Sequence, residues 1–469
     1  MTESGCWSVA GVDLHVDLDA AGGRRAALEH GLRDAIRTGR LLSRARLPST
    51  RRLAAELGLS RGTVQAAYDQ LTAEGYLTAR RGAGTVVAAP LAGTGRAPAP
   101  EGRGPAAPAH DLRPGNPDVS TFPVAAWLRA VRRSLGSAAP ETYGYGDPRG
   151  RIELRTALTE YLGRTRGVVA HPGRIVITSG YVQALALLAR LVAERGGRTV
   201  AMEDPGLGFH REVVRRRGLE VVPLPVDGRG ARCAELGAAD AAVVTPAHQY
   251  PTGVPLHPAR RRELTEWAGA RGALVVEDDY DGEFRYDRQP IGALQGTAPA
   301  QVAYLGTVSK SLAPALRLAW MVLPEELVDP VVDLKLHADH HTETLGQLAL
   351  AEMITGHAYD RHIRAARMRY RRRRDQLVAR LGAAGRVQGI AAGLHALVML
   401  PEGGPVEADL HARAAAAGLA LGWLDDHWQA PHATAPDRRQ GLVVGYGTPR
   451  ERDWPAALDA LADLLDGAG

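Results

Sequence analysis

Apolar side chains recur along this chain with two different periods. Over residues 25–37, Leu28, Leu32, Ala35 and Ile36 fall on one face of a helix. Leu53, Ala54 and Leu57 make a second, shorter stripe that Ser49 or Thr50 can cap and that Gly58 ends. Ser60 caps a third, with Val64, Ala67, Tyr68 and Leu71 on its inner face. Two short helices joined by Gly-Leu-Ser predict a helix-turn-helix. Residues 77–80 and 85–88 predict a hairpin around Arg81-Gly82-Ala83-Gly84, a basic wing. Further on, short β-branched runs at 174–178, 199–203, 220–224, 241–245, 273–277, 302–305 and 318–323 alternate with longer helical patterns. Near-continuous apolar strands are covered on both faces, so the fold class is α/β with a mostly parallel sheet flanked by helices. A smaller α+β segment is expected from about residue 335 onward.

The two patterns are separated by residues 88–110, where Ala, Pro and Gly fill 17 of 23 positions. Such a stretch has too few large apolar side chains to offset its ordering entropy, so it reads as a linker. The expected organisation is a winged head over 12–88, a linker over 89–110 and a body over 111–469. A chain of 469 residues is long enough to bury several cores without disulfide or metal staples.

Charge sharpens this division. The chain holds 57 basic and 52 acidic residues, a net of +5, but residues 23–90 alone carry 12 Arg against 5 acids, a net of +7. A compact basic head on a near-neutral body points to nucleic acid as the head's partner. No apolar run approaches a membrane span, and the first 19 residues carry four acids and no basic flank, unlike a secretory signal. Two cysteines, Cys6 and Cys233, exclude a disulfide scaffold. The expected location is the cytoplasm.

Only Lys310 and Lys335 are lysines; the other 55 basic residues are arginine. Lys310 follows a predicted strand in YLGTVSKSLAPALRL, with Thr307, Ser309 and Arg317 in company. An amine beside small hydroxyls and a guanidinium suits an aldehyde cofactor carrying a phosphate: the amine forms a Schiff base, and Arg317 with Thr307 holds the anion. VVEDDYDGEF ends another strand. A carboxylate there can pair with a protonated pyridine nitrogen, and Tyr280 can hydrogen-bond a phenolic oxygen. In ITSGYVQALALLARL, backbone N–H groups of Ser179, Gly180 and Tyr181 open a helix and make an anion site. TPAHQYPTG adds a polar loop with His248 and Tyr250. All four motifs fall at carboxyl ends of strands, where open α/β sheets bind ligands.

The head, with LPSTRRLA, LGLSRGTV, AYDQL, EGYL and a GxGT wing, resembles the winged helix-turn-helix of GntR-type regulators. Ser43-Arg44 stands where the family usually has Pro-Gly. The body, with LRPGNPDVSTFP, YGYGDPRGRIELRTALTEYL and EDPG, resembles fold-type I pyridoxal-phosphate aminotransferases. The combination resembles MocR-type regulators, the GabR- and PdxR-like group. That resemblance implies a DNA-binding transcription regulator that holds pyridoxal 5'-phosphate on Lys310. Asp278 is implied as pyridine partner, with Asp279 as rival because the spacing to the tyrosine is unusual, and Tyr280 as phenolic-oxygen partner. In the head, Arg61 and Thr63 are expected in the major groove, Arg51 on a phosphate or base edge, and Arg80 and Arg81 on backbone or minor groove. The implied partners are double-stranded operator DNA, a second copy in a head-to-tail homodimer, RNA polymerase, and an effector that is pyridoxal phosphate, an amine or an amino acid. The alternative is a working aminotransferase with an appended DNA tether.

Two departures argue against full transaminase turnover, leaving a half-reaction open. Leu207, with Phe209 nearby, replaces the aromatic expected to stack on the cofactor ring. Val443 stands where an arginine is expected to grip the substrate carboxylate, with Arg438, Arg439 or Arg450 as substitutes. Elsewhere, Lys335 is expected to face solvent, Arg367–Arg374 to form a solvated basic face rather than a second DNA patch, and Cys233 to be a small buried residue. His337, His340 and His341 are expected to be solvated or capping rather than zinc ligands, and no metal is expected.

Overall fold

The computed structural model describes residues 4–9, 12–17, 23–80, 84–88, 108–286, 291–381, 387–401, 405–430 and 439–466. The chain forms two compact units, residues 1–106 and 107–469.

The first unit opens with a hairpin of β1 (Ser4–Val9) and β2 (Val12–Asp17). The apolar periodicity does not predict it, and a head starting at residue 12 cuts between its strands; the unit begins by Ser4. Helices α1 (Gly23–Arg37), α2 (Thr50–Leu57) and α3 (Arg61–Ala73) follow, then the wing strands β3 (Leu77–Arg80) and β4 (Gly84–Val87). The caps do what their residue types allow. The Ser49 hydroxyl accepts from the Arg52 N–H, Ser60 accepts from the Thr63 N–H at 3.0 Å, and Gly58 ends α2 at φ +63°. The faces so fixed bury Leu28, Leu32, Leu53, Val64, Tyr68 and Leu71 in one core. Arg44, in place of a glycine, is held at φ +65°, a left-handed conformation that costs a side-chain-bearing residue about 1–2 kcal/mol.

In the second unit, β5 (His110–Asp111) precedes α4 (Val124–Gly136) and α5 (Ile152–Arg166). The strands of the central sheet and their helices follow: β6 (Ile175–Thr178), α6 (Tyr181–Glu194), β7 (Thr199–Asp204), α7 (Gly208–Arg215), β8 (Glu220–Asp227), β9 (Gly230–Ala231), β10 (Ala241–Val244), α8 (Pro258–Arg271), β11 (Leu274–Asp278), β12 (Val302–Thr307) and β13 (Ala319–Val322). Next come α9 (Glu325–Asp339), α10 (Thr344–Thr355), α11 (Ala358–Leu381), β14 (Val387–Gln388), β15 (Ala396–Met399), α12 (Glu407–Ala416), β16 (Leu419–Ala420), β17 (Gly422–Trp423), β18 (Gly441–Val444) and α13 (Trp454–Asp466).

Eight strands form one sheet in the order β6-β13-β12-β11-β10-β7-β8-β9. Pairings from β12 through β8 are parallel, while β13 runs antiparallel to both β12 and β6. Strands β6, β10, β12 and β13 are buried at every position, because helices cover both faces. The C-terminal segment carries its own antiparallel sheet, β14-β15-β18-β17. His110–Asp111 pairs in parallel with Leu419–Ala420, so the linker ends before residue 110. The other linker residues, 89–107, lie outside the described residues. No helix among the described residues is long and apolar enough to cross a membrane.

Candidate cofactor site and DNA-binding head

The parallel strands deliver their carboxyl ends to one edge, and a cavity of about 340 Å³ opens there. Lys310, three residues past β12, lines it, as do Thr307, Ser309, Arg317, Tyr181, Asp278, Tyr280 and Tyr250. Lys310 Nζ donates to the Gly115 carbonyl, in the LRPGNP run that forms the opposite wall. Burial pushes the Lys310 amine below the ordinary lysine range, against the pull of Asp278 and Asp281. A lysine so placed spends more of its time as the neutral nucleophile.

The acidic run at the end of β11 divides by strand alternation, since neighbouring side chains point to opposite faces. Asp278 faces the cavity, and its Oδ1 has no hydrogen-bond partner among the described residues. Burial holds its carboxyl well above the usual range, with Asp279 adding and Tyr181 and Lys310 opposing. Asp279 points the other way, onto Arg166 through bonds of 2.6 and 2.9 Å, and accepts from the Tyr304 hydroxyl at 2.7 Å. Asp279 is therefore a structural anchor, and Asp278 is the acid in the cavity.

At the other end of the cavity, Gly180 opens α6 at φ +118°, and a Cβ there would lie 2.6 Å from Arg317 Nη2. Only a glycine lets this guanidinium lie against the turn. The Thr307 hydroxyl donates to Ser309 Oγ at 2.9 Å; at the start of α6 the Gln183 and Ala184 N–H groups bond the Gly180 carbonyl, while those of Tyr181 and Val182 precede the first carbonyl of the helix. Together these groups make a cradle for an anion.

Two expected contacts are corrected. The Ser179 N–H is taken by Gln183 Oε1 at 2.8 Å, and Ser179 lines an adjoining cavity rather than this one. His248 stands behind the wall: its ring meets Asp281 at 2.8 Å and the Tyr280 hydroxyl at 3.1 Å, so it orients Tyr280. Sequence reasoning missed several wall residues, three of them basic. His210 packs its ring on Tyr181 at 4.5 Å, and its titration is pushed down to about 3 by burial and Lys310. Arg211 and His395 also line the cavity. Their motif neighbours were visible in sequence, but α7 and the Gly393 turn had to be placed before these side chains could be assigned.

Val443 is fully buried with Leu397, Met399 and Leu424, next to Tyr250. Arg439 and Arg450 are exposed and do not line the cavity, and Arg438 lies outside the described residues. Leu207 does reach the cavity rim.

Lys335 contradicts its expected exposure. It is buried, bonded to Asp339 at 2.8 and 3.0 Å, and Asp339 in turn accepts from Gln183, the side chain that fixes Ser179. The Arg367–Arg374 run is likewise not simply solvated. Arg373 is buried and reaches Asp118 and Glu451, Arg367 donates to the Glu283 carbonyl, and Arg369 to Thr121. Cys233 is buried with a free thiol. His340 and His341 pack against Tyr145, and His337 is exposed. Among the described residues, the group that could hold a metal is instead His248, Asp281 and His395.

In the head, Arg51 and Arg61 are exposed at the starts of α2 and α3 and make no ion pair among the described residues, whereas Arg33 and Arg52 pair with Glu74 and Glu56. Thr63 is half-buried, with its hydroxyl on Ser60 at 2.8 Å. Arg80 ends β3 opposite Gly84, and Arg81 lies outside the described residues.

Comparison with known proteins matches this division. Residues 24–87 match the bacterial regulatory proteins of the gntR family, and residues 110–418 match aminotransferase class I and II. The probable rhizopine catabolism regulatory protein MocR of Rhizobium meliloti is 35% identical over 78% of this chain and 78% of its own length. The chain belongs to the MocR-type family of HTH transcriptional regulators. Another relative in this family, the pyridoxine biosynthesis transcriptional regulator PdxR of Corynebacterium glutamicum, is 31% identical over 89% of this chain and 91% of its own length. The body is also similar to the kynurenine aminotransferase of Pyrococcus horikoshii, solved with PMP, with a TM-score of 0.67 and 26% identity over 76% of this chain and 90% of that one.

Proposed function

We propose that this MocR-type regulator holds pyridoxal 5'-phosphate in the body cavity on Lys310 and couples the state of that site to operator binding by its heads. The observation that carries the reading is the pairing of an unpartnered, buried Asp278 Oδ1 with the Gly180–Arg317 cradle, in one cavity with Lys310. A buried carboxylate oxygen without a partner is costly, and a protonated pyridine nitrogen satisfies it. Arg317, Thr307, Ser309 and the N-terminus of α6 hold the phosphate. Tyr280, oriented by His248, would hydrogen-bond the phenolic oxygen, and Tyr250 lines the same cavity. When bound, the cofactor would supply an electrophilic carbon and an electron sink for amine chemistry beside Lys310.

The partners in this reading are double-stranded operator DNA, a second copy of the chain, and a small effector, in the cytoplasm. Regulation requires the effector to bind two states of the dimer with different affinity. Pyridoxal phosphate acting as its own effector is the other form of the same reading, supported by the relative named for pyridoxine biosynthesis.

The test is absorbance and operator binding on the full-length protein. Wild type is expected to show a visible cofactor band that Lys310→Ala lacks, and an operator affinity that changes with pyridoxal phosphate or an amine. A Lys310→Ala spectrum identical to wild type refutes the assignment. The second reading, an active aminotransferase, draws on the intact Lys310, Asp278 and Tyr280 set; multiple turnovers of an amino donor with a keto acid would establish it.

A further inference from the structure

We propose that His248, Asp281 and His395 form a site for a zinc-class divalent cation in the wall of the body cavity. The inference goes beyond the cofactor reading and does not depend on it.

The three residues come from segments far apart in sequence: His248 follows β10, Asp281 follows β11 and His395 precedes β15. They are 3%, 3% and 4% exposed, and one ligand atom of each lies within 4.8 Å of the other two. His248 Nδ1 meets Asp281 Oδ2 at 2.8 Å, and among the described residues His248 is the ion-pair partner of Asp281. The turn that carries His395 is pinned over this pair. The Gly393 N–H donates to the Phe284 carbonyl at 2.7 Å, and the Gly393 carbonyl accepts from the Tyr446 hydroxyl at 2.7 Å. Gly393 stands at φ +74°, and a Cβ there would lie 2.3 Å from His248 Cε1 and 2.6 Å from Asp281 Oδ2. Only a glycine lets the turn close this far.

His395 supplies a second, independent sign. Its Nε2 is buried and has no hydrogen-bond partner among the described residues. Burial, with His248 and His427 nearby, keeps the ring neutral, and its hydrogen bond to the Pro251 backbone holds the ring proton on the other nitrogen. Nε2 is left with a lone pair and no donor to meet it. Buried polar atoms are rarely left in that state without a ligand or an ion to take them.

Two neutral imidazole nitrogens and one carboxylate oxygen are the donor set of zinc and its transition-metal neighbours. Magnesium and calcium prefer shells of six or more oxygens, which this cluster does not offer. The Asp281 carboxylate offsets part of the ion's charge. With the ion on His248 Nδ1, the imidazole proton resides on Nε2, and Tyr280 keeps its other acceptor, the His248 carbonyl, at 3.1 Å. His395 lines the cavity, so the ion enters from that side and a water completes the shell.

The test counts bound zinc by emission spectroscopy on full-length protein dialysed at buffered micromolar free zinc, with and without pyridoxal phosphate. One ion per chain is expected, and a count reached without the cofactor is the decisive one, because pyridoxal phosphate itself chelates zinc. His395→Gln and Asp281→Asn are each expected to lower zinc affinity by about tenfold or more. The rival histidine pair packs on Tyr145, so a double variant carrying His340→Gln and His341→Gln is expected to keep the wild-type count. Cobalt(II) in place of zinc gives a check that needs no variant, in case the substitutions do not fold. A four-coordinate ion shows an intense visible band to the red of the cofactor, and a hydrated surface ion shows a weak one. Four results overturn the inference: no zinc in wild type, zinc held only with the cofactor, an affinity unchanged in His395→Gln and Asp281→Asn or lost in the His340 and His341 variant instead, and a weak cobalt band. None of them bears on whether Lys310 holds the cofactor, which the Lys310→Ala spectrum decides separately.

Discussion

Removing the carboxylate of Asp279 should damage the fold, whereas neutralising Asp278 should not, although the two residues are adjacent. Asp279 and Arg166 have side-chain exposures of 2% and 3% and share two hydrogen bonds. Asp279→Ala leaves the guanidinium buried without its counter-charge and also removes the acceptor of the Tyr304 hydroxyl. Breaking one side of such a buried pair costs about 3–5 kcal/mol. In a body of this size that corresponds to a melting temperature lower by roughly 4–7 °C. Asp278→Asn is isosteric and removes an unpartnered buried charge, so the cofactor-free protein should melt near or slightly above wild type. The sign with pH follows from the direction of the shift. The folded-state pKa of Asp278 is raised, so its contribution favours the fold below the ordinary carboxylate range and is lost as pH rises through the raised value. The advantage of Asp278→Asn over wild type should therefore be larger at pH 8 than at pH 5. Scanning calorimetry of both variants without cofactor at the two pH values checks this. An Asp279→Ala melt within 1 °C of wild type, or an Asp278→Asn penalty as large as that of Asp279→Ala, would refute the division of roles.

Other perturbations test separate parts of the molecule. Gly180→Ala places a methyl 2.6 Å from Arg317 Nη2, and pyridoxal phosphate affinity by equilibrium dialysis should drop about tenfold or more. Arg44→Gly relieves the left-handed strain at φ +65° and should stabilise the head by about 0.5–1 kcal/mol, measured by denaturant unfolding of the wild-type and variant chains. Arg61→Ala should weaken operator binding by about 1–3 kcal/mol and relax base preference, seen in anisotropy titrations against operator and scrambled DNA; equal losses on both would show a phosphate contact instead. Lys335→Met should change stability by no more than about 1 kcal/mol, since it removes a buried ammonium's desolvation together with its bond to Asp339.

The local features of the fold were legible in the sequence because they depend on short-range chemistry. Helix faces, the Ser49 and Ser60 caps, the Gly58 stop and the apolar strand runs follow from periodicity and backbone freedom over a few residues. The hairpin of β1 and β2 escaped because only β2, VDLHVD, alternates, while SGCWSV of β1 has no clear period. Lys310 stood out because lysine is rare here, and its hydroxyl and arginine company identified the anion end. What sequence could not decide was direction and depth. Asp278 and Asp279 are interchangeable as letters; strand alternation and the position of Arg166, 113 residues earlier, separated them. Lys335 looked like a surface charge until α9 was packed against the sheet and its amine was turned to Asp339. Arg211 and His395 carry no local motif, and they reach the cavity only once α7 and the turn at Gly393 are placed. Residue types and their short spacings therefore determined the class of chemistry, which is a property of side chains. Only the tertiary structure decided which of those side chains share a cavity, because that depends on contacts between segments far apart in the chain.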